Sequence, residues 1–139
     1  MNVYLDASFI VALFVVDLQT ERADRFLAGQ RPTLVVSDFA EAEFASAIAG
    51  HVRVGRLDMD RARSVFTAFD GWASRTARVE THSADIAATS AMLRRLDLVL
   101  RTPDALNIAI AHRTSAALAT FDEKMASCAQ TIGVPVARV

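Results

Sequence analysis

The chain has 139 residues, a net charge of −1 and 53% hydrophobic residues, so we expect one domain over residues 1–139 with its own core. Its lone cysteine, Cys128, excludes an internal disulfide and a cysteine-based zinc site, and is typical of a cytoplasmic protein. The longest apolar run, residues 9–16, is too short to span a bilayer, so no membrane association is expected. The small net charge gives no overall field that would attract nucleic acid.

The first half of the chain alternates short apolar runs with longer helical patterns. Its predicted elements are a strand over 2–5, a helix over 7–16, a helix over 17–28, a strand over 33–36 and a helix over 38–54. Asp6 follows the first strand directly, where it is also well placed to cap the next helix. Gly29 is the expected end of the second helix.

The helix over 38–54 carries two glutamates for which we expect different roles. Asp38 and Glu41 have the spacing of a capping box, so Glu41 is assigned a structural role. Glu43 lies about 100° or more from the apolar ridge of this helix at 3.6 residues per turn. It shares its stripe with small residues that allow close approach: Ala40, Ala47 and Gly50. An exposed helical glutamate is the alternative interpretation of Glu43.

The second half continues the same alternation. Its predicted elements are helices over 58–72 and 83–96, a strand over 77–80, a helix over 103–112, a strand over 116–120, a helix over 122–130 and a strand over 134–139. Asp85 is expected on the solvent side of its helix. Short strands that alternate with helices indicate an α/β fold, with a parallel sheet covered by helices on both faces.

Three aspartates lie where this architecture would bring them together. Asp6 ends the first strand, Asp122 lies just past the fourth, and Asp104 lies in the first turn of a helix that is apolar almost all round. Ligands bind such sheets outside the carboxyl ends of the strands, at the point where the strand order reverses. If the order reverses between the first and fourth strands, Asp6 and Asp122 meet there, and Asp104 and Glu43 enter from neighbouring helices.

Four short motifs in this order resemble the PIN domains. They are YLDAS at 4–8, Ser-x-x-x-x-x-Glu at 37–43, Pro-Asp-Ala-Leu at 103–106 and Thr-Phe-Asp at 120–122. The resemblance covers the whole chain, and the length and layout are similar to the VapC toxins of bacterial toxin–antitoxin pairs. It implies a PIN-like three-layer sandwich whose five-stranded parallel sheet has the order 3-2-1-4-5. One departure is Asn107, where relatives often carry histidine; this residue would bear on substrate contacts.

The resemblance also implies a set of site residues. These are an acidic cluster of Asp6, Glu43, Asp104 and Asp122, with the hydroxyl of Thr120 beside it. Hard oxygen ligands without sulfur or histidine suit Mg²⁺, with Mn²⁺ as a substitute. Crowded carboxylates repel one another unless a divalent cation lies between them. The three aspartates would be the principal ligands, and Glu43 would bind the metal through water or orient the attacking water.

The activity and partners expected from the resemblance follow the family. The chain would be an endoribonuclease that cuts single-stranded RNA of the tRNA or rRNA class and thereby inhibits translation and growth. A VapB-like antitoxin and a second copy of the chain would be its protein partners. We expect apolar residues of the helices over 7–16 and 41–54 to contribute to the homodimer face.

Two other classes of function remain open on the sequence. A receiver-like phosphoacceptor domain also binds Mg²⁺ at strand ends, but it needs an acidic pair after the first strand and a lysine after the fifth. The only lysine, Lys124, lies inside a predicted helix. The second alternative is a catalytically silent domain of the same fold that only binds a partner, its acids serving as helix caps. Only removal of the acids tests that one.

Overall fold

The computed structural model describes residues 1–139 and contains four strands and seven helices. The strands are β1 (Asn2–Leu5), β2 (Thr33–Ser37), β3 (Ala77–Val79) and β4 (Ala117–Ala119). The helices are α1 (Ala7–Phe14), α2 (Thr20–Gln30), α3 (Asp38–Arg53), α4 (Met59–Ala73), α5 (Ser83–Arg94), α6 (Thr102–Arg113) and α7 (Glu123–Thr131). Every predicted element except the last strand is present, with its ends shifted by a few residues. No helix is both long and apolar enough to cross a membrane.

The sheet is parallel and has the order β3-β2-β1-β4. The prediction of five strands is wrong, because residues 134–139 form only a single parallel bridge, between Val136 and Leu118. The N–H of Leu118 donates to the carbonyl of Pro135 (2.8 Å), and the N–H of Ala137 donates to the carbonyl of Leu118 (2.8 Å). Pro135 has no N–H to donate to the carbonyl of Ala116, so the ladder does not extend toward the start of β4.

The central strand shows that helices cover both faces of the sheet. Val3, Tyr4 and Leu5 are all fully buried, and successive residues of a strand point to opposite faces. On one side, Phe44 and Phe69 pack with their ring centroids 4.7 Å apart. Phe69 of α4 therefore contributes to the hydrophobic core, and the three-layer arrangement is as predicted.

Two of the predicted helix ends are wrong. Gly29 lies inside α2, and the left-handed residue that ends this helix is Arg31, with φ of 44°. The cap of α3 is Ser37, whose hydroxyl accepts from the N–H of Ala40 (2.9 Å), so Asp38 and Glu41 do not form a capping box. Asp38 instead accepts from the N–H and hydroxyl of Thr81, across the carboxyl ends of β2 and β3. Glu41 keeps a structural role, because it forms an ion pair with Arg78.

Asp85 is not on the solvent side of its helix. Its side chain is 2% exposed and accepts from the Arg113 Nε at 2.7 Å. The same guanidinium donates to the carbonyl of Glu80 (2.8 Å), so it ties α6 to α5 and to the end of β3. The sequence around Asp85 gave no signal of its burial, because its partner Arg113 lies 28 positions along the chain.

We expect Arg113→Gln to lower the free energy of unfolding by about 2 kcal/mol, because it leaves the buried Asp85 carboxylate without its counter-charge. The cost is below the range for a fully enclosed pair because the Arg113 side chain is 28% exposed. Denaturant unfolding measures the change. The double variant Asp85→Asn/Arg113→Gln should recover part of the loss, and a double variant whose loss is the plain sum of the two single losses would show that the pair is not coupled.

Candidate functional site

The carboxyl ends of β1 and β4 lie side by side where the strand order reverses. Leu5 pairs with Ala119 in parallel register, and the N–H of Asp6 donates to the carbonyl of Ala119 (3.3 Å). Asp6 follows β1 directly, and Asp122 lies three residues past the end of β4. The sheet therefore brings these two predicted acids to one edge, at the kind of crevice where α/β folds bind ligands.

Asp6 is the most enclosed acid of the group, at 4% exposure. Its Oδ1 accepts from the N–H of Phe9 (3.0 Å) and from the hydroxyl of Ser8 (2.7 Å). Its Oδ2 accepts from the hydroxyl of Thr120 (2.6 Å), the residue predicted beside the cluster. Burial raises the pKa of Asp6 despite these donors, and the charge of Asp122 raises it further.

Asp104 and Asp122 each use one carboxylate oxygen to cap a helix. Asp104 Oδ2 accepts from the N–H of Arg101 (3.0 Å) at the start of α6, and Asp122 Oδ1 accepts from the N–H of Met125 (3.0 Å) at the start of α7. The other oxygen of each forms no hydrogen bond within the protein. Capping requires only one oxygen, so the second oxygen of both acids is available for a ligand.

Three helices thus begin at these aspartates: α1 after Asp6, α6 around Asp104 and α7 after Asp122. The N-terminus of a helix carries partial positive charge, which favours nearby carboxylates. The helix N-termini therefore offset part of the negative charge that these aspartates bring to one sheet edge. Capping leaves the fourth acid, Glu43, unexplained, because Glu43 lies in the second turn of α3.

Glu43 is held by a buried polar chain that the sequence did not reveal. Its Oε1 accepts from Asn107 Nδ2 at 2.6 Å. Asn107 Oδ1 accepts from the hydroxyl of Tyr4 (2.7 Å), and the hydroxyls of Tyr4 and Ser37 lie 2.7 Å apart. Because the one proton of Tyr4 goes to Asn107, Ser37 must donate to Tyr4. The amide nitrogen of Asn107 also donates to the carbonyl of Pro103 (3.0 Å), so its orientation is fixed.

The electrostatics of Glu43 place it among the other acids. Burial raises its pKa, the Asn107 hydrogen bond opposes that shift, and the charges of Asp6 and Asp104 raise it further. Burial also raises the pKa of Tyr4, which keeps its phenol protonated as the donor to Asn107. The negative charges of Asp6 and Asp104 are therefore close enough to Glu43 to raise its pKa. The charge of Asp122 affects Asp6 in the same way.

The four acids form a loose rather than a closed group. As the side chains stand, no three potential ligands are close enough to hold a metal ion by direct contact alone. The donors are all carboxylate oxygens, which suit a hard divalent cation, so an ion bound here would keep water in part of its coordination sphere, as Mg²⁺ commonly does. The residue types fit the expected metal, provided that some ligands act through water.

The positioning residues that sequence reasoning missed carried a weak signal. Tyr4 places a hydroxyl within an apolar strand, and Asn107 places an amide within the apolar run ALNIAIA. A buried hydroxyl or amide needs a partner, so two such groups on neighbouring elements indicate a network. Ser8, within the motif YLDAS, accepts from the N–H of Phe121 (2.9 Å) and joins α1 to the end of β4.

The pKa of Asp6 gives a pH prediction for the metal-free protein. Above the ordinary value of 3.8 and up to its raised value, the folded state binds more protons at Asp6 than the unfolded chain does. The free energy of unfolding contributed by Asp6 therefore falls as pH rises through this window. In chelator, the stability of Asp6→Asn relative to the parent should therefore increase as pH rises above 3.8. Denaturant titrations at several pH values measure the difference, and an opposite trend would mean that the hydrogen bonds dominate.

Comparison with known proteins identifies similar folds over nearly the whole chain. A family model described as PIN domain matches residues 3–130. Among solved structures, VapC20 of Mycobacterium tuberculosis, a Sarcin-Ricin loop cleaving toxin, has a TM-score of 0.75 at 18% identity, with 99% of each chain covered. FitAcB of Neisseria gonorrhoeae has a TM-score of 0.72 at 18% identity, with 98% of this chain and 96% of that chain covered.

A third similar structure is the DNA-bound VapBC of Salmonella typhimurium. Its TM-score is 0.71 at 12% identity, with 99% of this chain and 97% of that chain covered. No curated protein matches the chain by sequence. At these identities the likeness concerns the fold.

Proposed function

The chain belongs to the PIN domain family, and from this premise we propose that it is a Mg²⁺-dependent endoribonuclease, the toxin of a type II toxin–antitoxin pair. The observation that carries the proposal is the placement of Asp6, Asp104, Asp122 and Glu43 at the carboxyl edge of the sheet. Capping accounts for one oxygen of Asp104 and of Asp122 and for none of Glu43, which is instead held by a dedicated hydrogen-bond chain.

Each acid has a role that follows from its surroundings. Asp6, Asp104 and Asp122 would hold Mg²⁺, or Mn²⁺ in its place, directly or through water. When bound, the metal supplies charge for the phosphodiester oxygen and lowers the pKa of a bound water. One oxygen of Glu43 is fixed by Asn107, and its other oxygen would bind the metal through water or orient the attacking water. Thr120 and Ser8 fix the Asp6 carboxylate by donating to its two oxygens.

The hydrogen bond from Asn107 to Glu43 is expected to contribute measurably to the rate of RNA cleavage. Asn107→Ala removes a hydrogen bond to a carboxylate, and we expect RNA cleavage to fall about tenfold, equivalent to about 1.4 kcal/mol. Tyr4→Phe keeps the Asn107 amide but removes the hydroxyl that donates to Asn107 Oδ1. This variant should also cleave RNA more slowly than the parent, but with a smaller loss than Asn107→Ala. Single-turnover cleavage rates measure both. A parent-like rate for Asn107→Ala would show that Glu43 needs no fixed orientation.

The partners are proposed from the similar structures and from the family resemblance of the sequence. The similar structures include VapBC2 of Rickettsia felis, VapBC-1 of Haemophilus influenzae and a toxin-antitoxin complex from Klebsiella pneumoniae. We propose a cognate VapB-like antitoxin for this chain, and an RNA substrate of the tRNA or rRNA class. We also propose a homodimer, with apolar residues of the segments 7–16 and 41–54 at its interface. Light scattering after size exclusion that gives the 15.1 kDa monomer at micromolar concentration would contradict the dimer.

The experiment that tests the activity is incubation of the purified protein with total RNA, with Mg²⁺ or with chelator, followed by mapping of new 5′ ends. The proposal expects discrete new ends carrying a 5′-phosphate, opposite a 3′-hydroxyl, only when Mg²⁺ is present. Absence of metal-dependent ends, together with growth inhibition by the expressed protein, would instead support the silent binding domain.

A further inference from the structure

A cleft of about 480 Å³ opens directly beside two of the acids. Its lining is Leu98, Val99, Leu100, Arg101, Asp104, Asp122 and Lys124. The cleft is thus continuous with the candidate site through Asp104 and Asp122. Its other walls combine two cations with a short apolar segment, residues 98–100, and neither feature belongs to the acidic cluster.

The two cations of the cleft lie where local structure disfavours them. Arg101 is the N-cap of α6, and Lys124 is the second residue of α7. The positive end of a helix dipole repels a cation, and helix starts prefer acids. Both side chains are exposed, and neither takes part in any ion pair of the structure. They therefore add positive charge beside the acids without an evident structural benefit.

The apolar segment of the cleft is held in place rather than buried. Val99 is 74% exposed, although its carbonyl lies 3.9 Å from the sulfur of Cys128 in α7. Leu98 and Leu100 are partly buried against the core. A nucleotide has an anionic phosphate, and its base and sugar present apolar faces. Two unpaired cations next to an exposed apolar surface complement both parts.

We propose that this cleft is the subsite for the RNA nucleotide next to the scissile phosphate. Arg101 and Lys124 bind its phosphate, and the segment 98–100 contacts its base and sugar. The subsite rests on the proposed nuclease function. It answers a physical requirement, because a chain of net charge −1 must bring a polyanion to four carboxylates. Positive charge at the edge of the acidic site offsets that repulsion where it is largest.

The test is the salt dependence of RNA binding by the full chain. Fluorescence anisotropy is measured with a short mixed-sequence single-stranded RNA, with Ca²⁺ replacing Mg²⁺ so that binding is read without cleavage. For Arg101→Gln/Lys124→Gln we expect the slope of log affinity against log salt to fall by about 1.4 in magnitude, because each cation that no longer neutralises a phosphate lowers the slope by about 0.7. Val99→Ser should weaken binding and leave the slope unchanged.

Arg75→Gln is the matched control, because Arg75 is exposed, unpaired and adjacent to Thr33 at the opposite, amino edge of the sheet. Its slope should equal that of the parent. A double variant that keeps the parent slope, while the parent cleaves RNA, overturns the subsite and leaves the nuclease standing. If Arg75→Gln lowers the slope as much as the double variant does, RNA is attracted by the charge of the whole surface, and the proposed subsite is overturned. A parent that neither cleaves nor binds RNA overturns both proposals. The melting temperatures of all four proteins are expected to agree, because every substituted side chain is exposed.

Discussion

Asp104→Asn is expected to reduce RNA cleavage by at least about 100-fold, which corresponds to about 2.7 kcal/mol of transition-state stabilisation. The substitution keeps the shape of the side chain and an oxygen that accepts from the N–H of Arg101, so α6 keeps its first turn. What it removes is one negative charge and the second carboxylate oxygen, which has no hydrogen-bond partner in the protein. The loss should therefore appear in the chemical step, with folding unchanged.

The matched control for this variant is Asp24→Asn. Asp24 is an exposed aspartate of α2 that takes part in no ion pair, so the same chemical change there should leave cleavage intact. Asp85 does not serve as a control, since its carboxylate pairs with Arg113 inside the fold. Single-turnover rates at saturating protein provide the comparison. If Asp104→Asn cleaves within a few-fold of the parent, the assigned site is wrong.

Expression of the two variants in growing cells adds an independent measurement. Under the nuclease proposal, Asp104→Asn no longer inhibits growth, while Asp24→Asn remains as toxic as the parent. A cleavage-deficient Asp104→Asn that still stops growth would indicate an activity based on binding.

The sheet edge was predictable because it depends on rules that act along the chain. Parallel strands end at one edge, so the positions of Asp6 and Asp122 after strands place both acids on that edge. The strand order implied by the family resemblance then makes them neighbours. The last strand was not predictable in the same way, because its extent depends on whether Pro135 must donate a hydrogen bond, and that is decided by register with β4. An apolar alternation with one proline is compatible with either outcome.

The partners of the interior polar side chains could not be predicted, for a different reason. Asn107 and Glu43 are 64 positions apart, and Tyr4 and Asn107 are 103 apart, so no local pattern links them. Asp85 has the local sequence of an ordinary surface aspartate of a helix, and only the packing of Arg113 against it makes it a buried one. Local sequence gives the element that carries a polar side chain, whereas its partner is set by how elements pack.

Metal binding to the assigned site predicts a shift in thermal stability that capping alone does not. A ligand that binds only the folded state stabilises it by mass action, about 2.7 kcal/mol when the free ion reaches a hundred times its dissociation constant. The parent should therefore melt at a higher temperature in Mg²⁺ than in chelator. Removing a charge at Asp122 should leave the chelator-treated protein as stable as the parent or more so, since it relieves repulsion with Asp6.

Asp122→Asn and Asp58→Asn form the decisive pair of variants for this shift. Both aspartates are exposed N-caps: Asp122 accepts from the N–H of Met125 (3.0 Å), and Asp58 accepts from the N–H of Arg61 (2.8 Å) at the start of α4. Asparagine caps a helix about as well as aspartate, so neither substitution should unfold the protein. Asp58→Asn should keep the full metal-induced shift, whereas Asp122→Asn should lose most of it. If both variants keep the shift, Asp122 is a cap and nothing more, and the ion binds elsewhere.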